Sequence, residues 1–252
     1  MALFAERRDD TERAAAWTAR ARRLQEAVER RFWTEDQGFY GIAVDGAGEL
    51  CRVLSSNPGH LLFAGLVGRE RARRLTQRLL SSAFASGWGL RTLAAGEARF
   101  NPMSYHNGSV WPHDTAICAM GMARYGERAG VVKLMANLFE TAANFEMRLP
   151  ELFCGFPRSP GEPPVAYPVA CLPQAWAAGS VFMMLQACLG LHVNAARARV
   201  DIYDPHLPLG IDRLKISGLR VGAAATDLVF ERMGDHVAVR SRPVEGLSVR
   251  VL

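Results

Sequence analysis

The distribution of apolar and polar positions predicts two kinds of helix that alternate along the chain. Apolar residues recur at three- and four-residue steps in three segments, which indicates amphipathic helices at 9–33, 69–82 and 127–147. Almost wholly apolar runs predict three further helices that open at Pro58, Pro112 and Pro173, since proline is favoured at a first helical position. Long loops at 34–57, 83–111 and 148–172 separate these helices, and a hairpin is expected at Asp45-Gly46.

This alternation predicts a layered arrangement of helices. A helix that is apolar on all sides must be covered on all sides, whereas a helix with a charged face can meet water. We therefore expect the apolar helices inside and the amphipathic helices outside, with the three long loops at one end. Loops longer than about fifteen residues are often functional, so this end is the expected site. The last apolar helix is interpreted as a buried central helix rather than a membrane span, because Gln186 lies within it.

The pattern changes near residue 195, where alternating and β-branched segments predict a small antiparallel sheet. We therefore expect a helical domain over 1–194 and a small β-rich unit over 195–252. The β-rich unit is assigned a docking and stabilising role rather than a catalytic one.

Composition narrows the class of protein. The chain has 252 residues, of which 49% are hydrophobic and 22% charged, as in an ordinary globular protein. Its five cysteines form no CxxC pair and no zinc-ligand spacing, so we expect neither metal nor cofactor. The first residues show no secretory signal pattern, and a reduced, cytoplasmic protein is expected.

Arginine dominates the net charge of +5 and raises the question of nucleic-acid binding. The arginines cluster at 20–31 and 69–78, where acidic residues such as Glu26 and Glu29 are interspersed. No groove-reading motif or aromatic RNA platform accompanies them. We interpret these arginines as the solvated outer faces of helices, which predicts a flat response of any binding to salt.

The candidate chemistry lies in the loops. Residues 101–126 begin as a polar, aromatic loop and continue as an apolar helix, with Trp111 just before Pro112 and Asp114 in the first turn. Aromatic rings beside amides, carboxylates and guanidinium groups suit a polyhydroxylated ligand. Glu151, next to an apolar Leu-Phe pair, is a candidate for acid/base work. Each residue also has a structural interpretation: Asp114 could serve the helix dipole, and Trp88 and Arg91 could form a local cation–π pair.

Four segments resemble the bacterial amylo-α-1,6-glucosidase, or glycogen debranching enzyme-like, family in the same order. They are GWGLRTL, SYHNGSVWPHDTA, LPELFCGFPR and PVACLPQAWAAGSVFMMLQACLGL. The resemblance implies a mainly α fold, the (α/α)6 toroid of six-hairpin inverting glycosidases, here followed by the small β unit. It also implies an α-glucan or related α-glucoside as substrate.

The same resemblance assigns residue roles. It places the general base at Glu151. It implies that the sugar is contacted by Trp88, Arg91, Tyr105, His106, Asn107, Trp111, Asp114 and Gln174.

The chain departs from the family pattern in one important respect. The family's proton donor is an aspartate in a stretch resembling QGWKDS, which is absent here, and only three of six helix pairs are predicted. We therefore expect half of a toroid, with an exposed apolar flank, completed by a second copy or by a missing N-terminal half. An inverting glycosidase needs two carboxyl groups about 6.5–9.5 Å apart. The alternative is a non-catalytic carbohydrate-binding or structural half-domain that needs a partner.

Overall fold

The α-helices all lie within the first 190 residues, and strands dominate the remainder. The computed structural model describes the whole chain, residues 1–252. The helices are α1 (Ala2–Glu6), α2 (Thr11–Arg31), α3 (Pro58–Ala64), α4 (Arg69–Leu79), α5 (Pro112–Arg124), α6 (Arg128–Ala143) and α7 (Ala175–Leu189). The strands are β1 (Trp33–Thr34), β2 (Phe39–Tyr40), β3 (Ala43–Val44), β4 (Leu50–Cys51), β5 (Leu191–Asn194), β6 (Arg199–Ile202), β7 (Arg213–Val221), β8 (Ala224–Met233), β9 (His236–Ser241) and β10 (Ser248–Val251).

Local signals explain most helix boundaries. Pro58 and Pro112 occupy the first turns of α3 and α5, as predicted. Helix α3 ends earlier than expected, because Gly65 adopts a left-handed conformation with φ of 71°. Helix α7 begins at Ala175 rather than at Pro173, because Gln174 serves as N-cap and its side-chain oxygen accepts the Ala175 N–H at 3.0 Å.

The apolar helices α3, α5 and α7 lie side by side, with α5 in the middle, while α4 packs on α3 and α6 packs on α5 and α7. Helices α3 and α5 approach closely at Gly59 and Gly121. A Cβ atom on Gly121 would lie 2.6 Å from the backbone nitrogen of Phe63 and 2.9 Å from the Gly59 oxygen. Around this crossing lies a core of 23 buried residues, which includes Leu62, Cys118 and Met122.

The mainly α, (α/α)6 toroid-type fold class predicted from the sequence is wrong. The chain is 36% helix and 22% strand, with four small sheets. Short strand pairs form within the first long loop, including the predicted hairpin between β3 and β4. The C-terminal sheets have the strand orders β7-β8-β9, which is antiparallel, and β10-β6-β5, in which β10 runs parallel to β6. Strands that pair across the sequence leave no local signal of comparable strength to a helix, so the strand content is higher than predicted.

The C-terminal sheets have a hydrophobic cluster of their own. Eight buried residues form it, including Leu189, Val200 and Phe230. The helical core ends at Cys188, immediately before it. The division into units at residues 194 and 195 stays a prediction.

Helix α7 is exposed on one side rather than buried in the centre as predicted. Phe182 is 75% exposed and Trp176 is 46% exposed, whereas Ala177 and Met184 on the other side are buried. The helix therefore presents apolar side chains such as Phe182 to solvent. No helix has the length and apolar character needed to cross a membrane.

Candidate functional site

Backbone pairing holds two of the long loops beside each other. Val110 and Phe153 exchange both backbone hydrogen bonds, at 2.9 and 3.0 Å. Gly155 lies against Gly108 so closely that a Cβ atom would be 1.7 Å from the Gly108 oxygen. Because Glu151 is two residues before Phe153, this pairing brings it to the 101–111 loop.

Glu151 is almost enclosed and receives a hydrogen bond on each carboxylate oxygen. The Tyr105 hydroxyl donates to Oε1 at 2.7 Å, and the Cys171 backbone N–H donates to Oε2 at 3.3 Å. The residue is 9% exposed. The hydrogen bond to Glu151 is the main cause that raises the pKa of Tyr105 to about 12, with burial as the second. Tyr105 therefore remains a protonated donor at neutral pH.

Aromatic rings connect Glu151 to an open cavity. The Tyr105 ring packs edge-on against Trp111, with centroids 4.9 Å apart. Trp111 in turn packs against Trp176 at 5.8 Å, and the His113 ring stacks on Trp176 at 4.2 Å. The predicted neighbours Tyr105, Trp111 and Glu151 thus form one cluster.

The cavity beside this cluster, hereafter the aromatic cavity, has a volume of about 690 Å³. It lies where the first two long loops meet the first turns of α5 and α7. Four of the predicted sugar-contacting residues line it, namely His106, Asn107, Trp111 and Asp114. The other polar or aromatic lining residues include Ser55, Asn57, Thr92, Glu97, Arg99, His113 and Trp176.

The aromatic cavity concentrates buried polar atoms that have no partner. His60 Nε2 and Asp114 Oδ1 are 2.7 Å apart, whereas Asp114 Oδ2 has no hydrogen-bond partner. His113 Nδ1 and the Ser55 hydroxyl are also unpaired. Three of the five such atoms in the chain therefore belong to residues that line this cavity. Buried polar groups are normally satisfied, so this concentration indicates a ligand with several hydroxyl groups.

Two histidines in this region have shifted pKa values of opposite sign. The pKa of His60 is raised, mainly because His60 forms a hydrogen bond with Asp114. Burial is the main cause that lowers the pKa of His113, so this ring is neutral near pH 7. A neutral ring can donate from one nitrogen and accept at the other.

The structure does not bring Trp88, Arg91 or Gln174 to the aromatic cavity. Tyr105 and Glu151 do not line it themselves: Tyr105 contacts the lining residue Trp111, and Glu151 is connected to Trp111 through Tyr105. The Arg91 guanidinium is buried and donates to the carbonyls of Ser82, Ala83 and Gly155. Trp88 packs with Val110 and Phe153 beneath the Arg158 guanidinium, 4.5 Å from its ring centroid.

The Gln174 side-chain oxygen is bonded to the N-terminus of α7. All three side chains therefore hold loops or helix ends in place, and Trp88 pairs with Arg158 rather than with Arg91.

The sequence analysis did not identify His60, His113, Trp176 or Ser55 as site residues. His60 is a lone polar residue at the start of the apolar run HLLFAGLV, which was a usable signal. Trp176 lies in an apolar run, which favours a core position, but it is partly exposed at the cavity. No group of three or more His, Cys, Asp or Glu side chains is arranged to hold a metal ion.

Comparison with known proteins places the chain among glycoside hydrolase domains. It belongs to the family described as the mannosylglycerate hydrolase MGH1-like glycoside hydrolase domain, whose sequence model matches residues 1–153. A mannosylglycerate hydrolase of Rubrobacter radiotolerans is 29% identical over 120 residues, which are 46% of this chain. This chain spans 27% of the length of that relative.

Solved structures show the likeness in fold alone. A sialidase matches with a TM-score of 0.75 at 13% identity, over 95% of this chain and 24% of the sialidase. A GH78 family rhamnosidase of Bacillus sp. GL1 matches with a TM-score of 0.63 at 15% identity, over 99% of this chain and 25% of the rhamnosidase. A GH63 mannosylglycerate hydrolase of Thermus thermophilus, in complex with glucose, matches with a TM-score of 0.54 at 22% identity, over 69% of this chain and 38% of the hydrolase.

These findings support the glycosidase class that the sequence resemblance implied. They name mannosylglycerate hydrolases, however, and do not support amylo-α-1,6-glucosidase in particular. The broad structural matches to a sialidase and a rhamnosidase also argue against a mainly α toroid.

Proposed function

We propose that this chain forms the base side of a glycoside hydrolase site that acts on short α-glycosides. The observation that carries the proposal is the set of unpaired polar atoms of Ser55, His113 and Asp114 beside the rings of Trp111 and Trp176 that line the cavity. Sugars present hydroxyl groups to such atoms and C–H faces to such rings. Membership of the glycoside hydrolase family supports the same interpretation.

In this proposal Glu151 is the general base of an inverting hydrolysis. Tyr105 and the Cys171 N–H hold its carboxylate by hydrogen bonds on both oxygens, which fixes its direction. An ionised carboxylate so held can take a proton from the attacking water. The second carboxyl group, which must protonate the leaving oxygen, remains unassigned.

For the substrate, we favour a monosaccharide joined to a small polar group over a long α-glucan. A cavity of about 690 Å³ lies within the usual range of about 300–1,000 Å³ for small-molecule sites. Arg99 lines it and is exposed, so it offers a cation to a carboxylate-bearing aglycone. The mannosylglycerate hydrolase relatives support a substrate of this kind.

A second candidate is a carbohydrate-binding function without hydrolysis. The two carboxylates that line the cavity each have one oxygen engaged, Asp114 with His60 and Glu97 with the Leu54 backbone N–H at 3.2 Å. Neither is arranged as a proton donor to a leaving group. A second copy or a further segment of a longer protein would then supply the acid.

The test measures binding and turnover separately. Mannosylglycerate and a malto-oligosaccharide are titrated calorimetrically into the purified chain, and sugar release is followed in parallel. Hydrolysis predicts product with the native chain, none with Glu151→Gln and full activity with the exposed control Glu245→Gln. Binding without product, weakened by Asp114→Asn, supports the second candidate. Absence of binding by either sugar refutes both.

A further inference from the structure

A second cavity lies at the opposite end of α5 from the aromatic cavity. Its volume is about 1,320 Å³, and residues at the ends of α4, α5 and α6 and in β5 and β6 line it. Helix α5 has 13 residues, or about 20 Å of helix, and this length separates the two cavities. We call this second space the basic cavity.

The basic cavity carries an excess of positive charge. Its lining includes the six arginines Arg7, Arg69, Arg124, Arg128, Arg197 and Arg199. Of these, Arg199 alone forms an ion pair, with Asp201 at 2.8 Å. Glu6 and Asp204 are the other two carboxylates of the lining. The pKa of His192 in the same wall is lowered by burial and then by the charges of Arg128 and Arg124.

Two helix N-termini also border this cavity, and at the start of α4 Glu29 accepts the Gly68 backbone N–H at 2.9 Å. Helix α4 begins at Arg69 and α6 begins at Arg128, and both of these first residues line the basic cavity. Neither helix receives a side-chain hydrogen bond from its N-cap residue, Gly68 or Glu127. Uncapped N–H groups and the helix dipole both favour an anion.

A buried donor without an acceptor points to the same place. Arg128 is 6% exposed, and its two terminal nitrogens donate to the carbonyls of Ala187 and Tyr203 at 2.8 and 3.0 Å. Its Nε–H has no acceptor. A buried unpaired donor of a charged group is costly, and an anionic oxygen would relieve that cost.

We propose that the basic cavity binds a small organic phosphate. The arginines and the two helix N-termini would hold the phosphate group. The rings of Tyr125, His192 and Tyr203 also line the space and provide a surface for the organic part. The volume of about 1,320 Å³ leaves room for an organic group beside the phosphate. The proposal is independent of the function assigned to the aromatic cavity.

The test uses the full chain at low ionic strength. Hexose 6-phosphate, inorganic phosphate and unphosphorylated hexose are titrated separately by calorimetry. The variants Arg124→Gln and Arg197→Gln each remove one exposed, unpaired arginine of the cavity. The control Arg23→Gln removes an exposed arginine of α2 outside it. Arg128 is left intact because it bonds the end of α7 and the residue after β6, and its loss could unfold the chain.

We expect hexose 6-phosphate to bind more tightly than inorganic phosphate. Each cavity variant should weaken the affinity about tenfold, since a charge-assisted hydrogen bond is lost, while Arg23→Gln should leave it unchanged. Circular dichroism confirms that each variant is folded. Absence of phosphate binding, or equal losses with Arg23→Gln and Arg124→Gln, would overturn the proposal. Equal affinity for the unphosphorylated hexose at this cavity would overturn it as well.

Discussion

The close crossing of α3 and α5 makes Gly121→Ala an informative substitution. The added Cβ would lie 2.6 Å from the Phe63 nitrogen, 2.7 Å from the Leu62 Cβ and 2.9 Å from the Gly59 oxygen. Two of these three atoms are backbone, so no side-chain rotation relieves the overlap. The two helices must move apart by roughly 1 Å to restore ordinary contact distances of about 3.5 Å.

The magnitude follows from two opposing effects. Overpacking of a well-packed core costs about 1–3 kcal/mol, and contact with backbone places this site at about 3 kcal/mol. Alanine is favoured over glycine in a helix by about 1 kcal/mol, which offsets part of that cost. We therefore expect a net loss of about 2 kcal/mol, or roughly 5 °C in melting temperature.

Gly179 provides the matched control. It lies within α7, is exposed, and has no atom within 4 Å of the position that an added Cβ would take. Gly179→Ala should therefore increase the free energy of unfolding by about 0.5–1 kcal/mol. Urea unfolding followed by circular dichroism measures both variants against the native chain.

The substitution should also affect the aromatic cavity. His60 is on α3 and Asp114 is on α5, so a separation of the helices lengthens their 2.7 Å hydrogen bond. Gly121→Ala should weaken saccharide binding even at temperatures at which the chain remains folded. If Gly121→Ala proves as stable as Gly179→Ala, the proposed close contact between the helices is wrong.

Three further substitutions test single side chains. His60→Gln should flatten the pH dependence of stability. Because Asp114 raises the folded-state pKa of His60, the contribution of His60 to stability is complete below its unfolded-state pKa of about 6.5 and is lost as the pH rises through its folded-state pKa. Urea unfolding at several pH values measures this effect. Tyr105→Phe should lower turnover about tenfold, as initial rates would show, because Glu151 loses the donor on Oε1. Arg91→Lys should destabilise the chain by about 2–3 kcal/mol in thermal unfolding, because an ammonium group cannot reach all of the carbonyls to which Arg91 donates. The saccharide affinity of the folded variant should remain unchanged.

The positions of the helices were largely predictable from sequence, because their signals are local. Pro112 opens α5 and the three- and four-residue periodicity marks α2, α4 and α6. The exposure of α7 was not predictable in the same way. Its apolar residues favour burial, but no other part of this chain packs against the side of α7 that carries Phe182.

The sheets show more clearly what local sequence patterns cannot predict. Strand β10 pairs in parallel with β6, so Ser248 lies opposite Arg199 although the two are far apart in the chain. Alternation within LSVRVL predicts a strand, but it contains no information about the partner or the direction of pairing. The total amount of strand, and hence the fold class, was therefore outside the reach of local patterns.

At the candidate site, proximity was easier to predict for residues of one loop than for residues that different elements bring together, although the predicted proximity of Glu151 and Tyr105 is present. Tyr105, His106 and Trp111 share one loop, and the structure keeps them together. Arg91 lies in the same long loop, but its carbonyl partners are at the start of that loop and at Gly155 of another loop, which no pattern reveals. His60 and Asp114 lie on different helices, and the close crossing of α3 and α5 at Gly121 brings the two side chains together. The unpaired buried polar atoms that indicate a ligand arise only where segments from different parts of the chain meet. The aromatic cavity is therefore visible in the structure but not in the sequence.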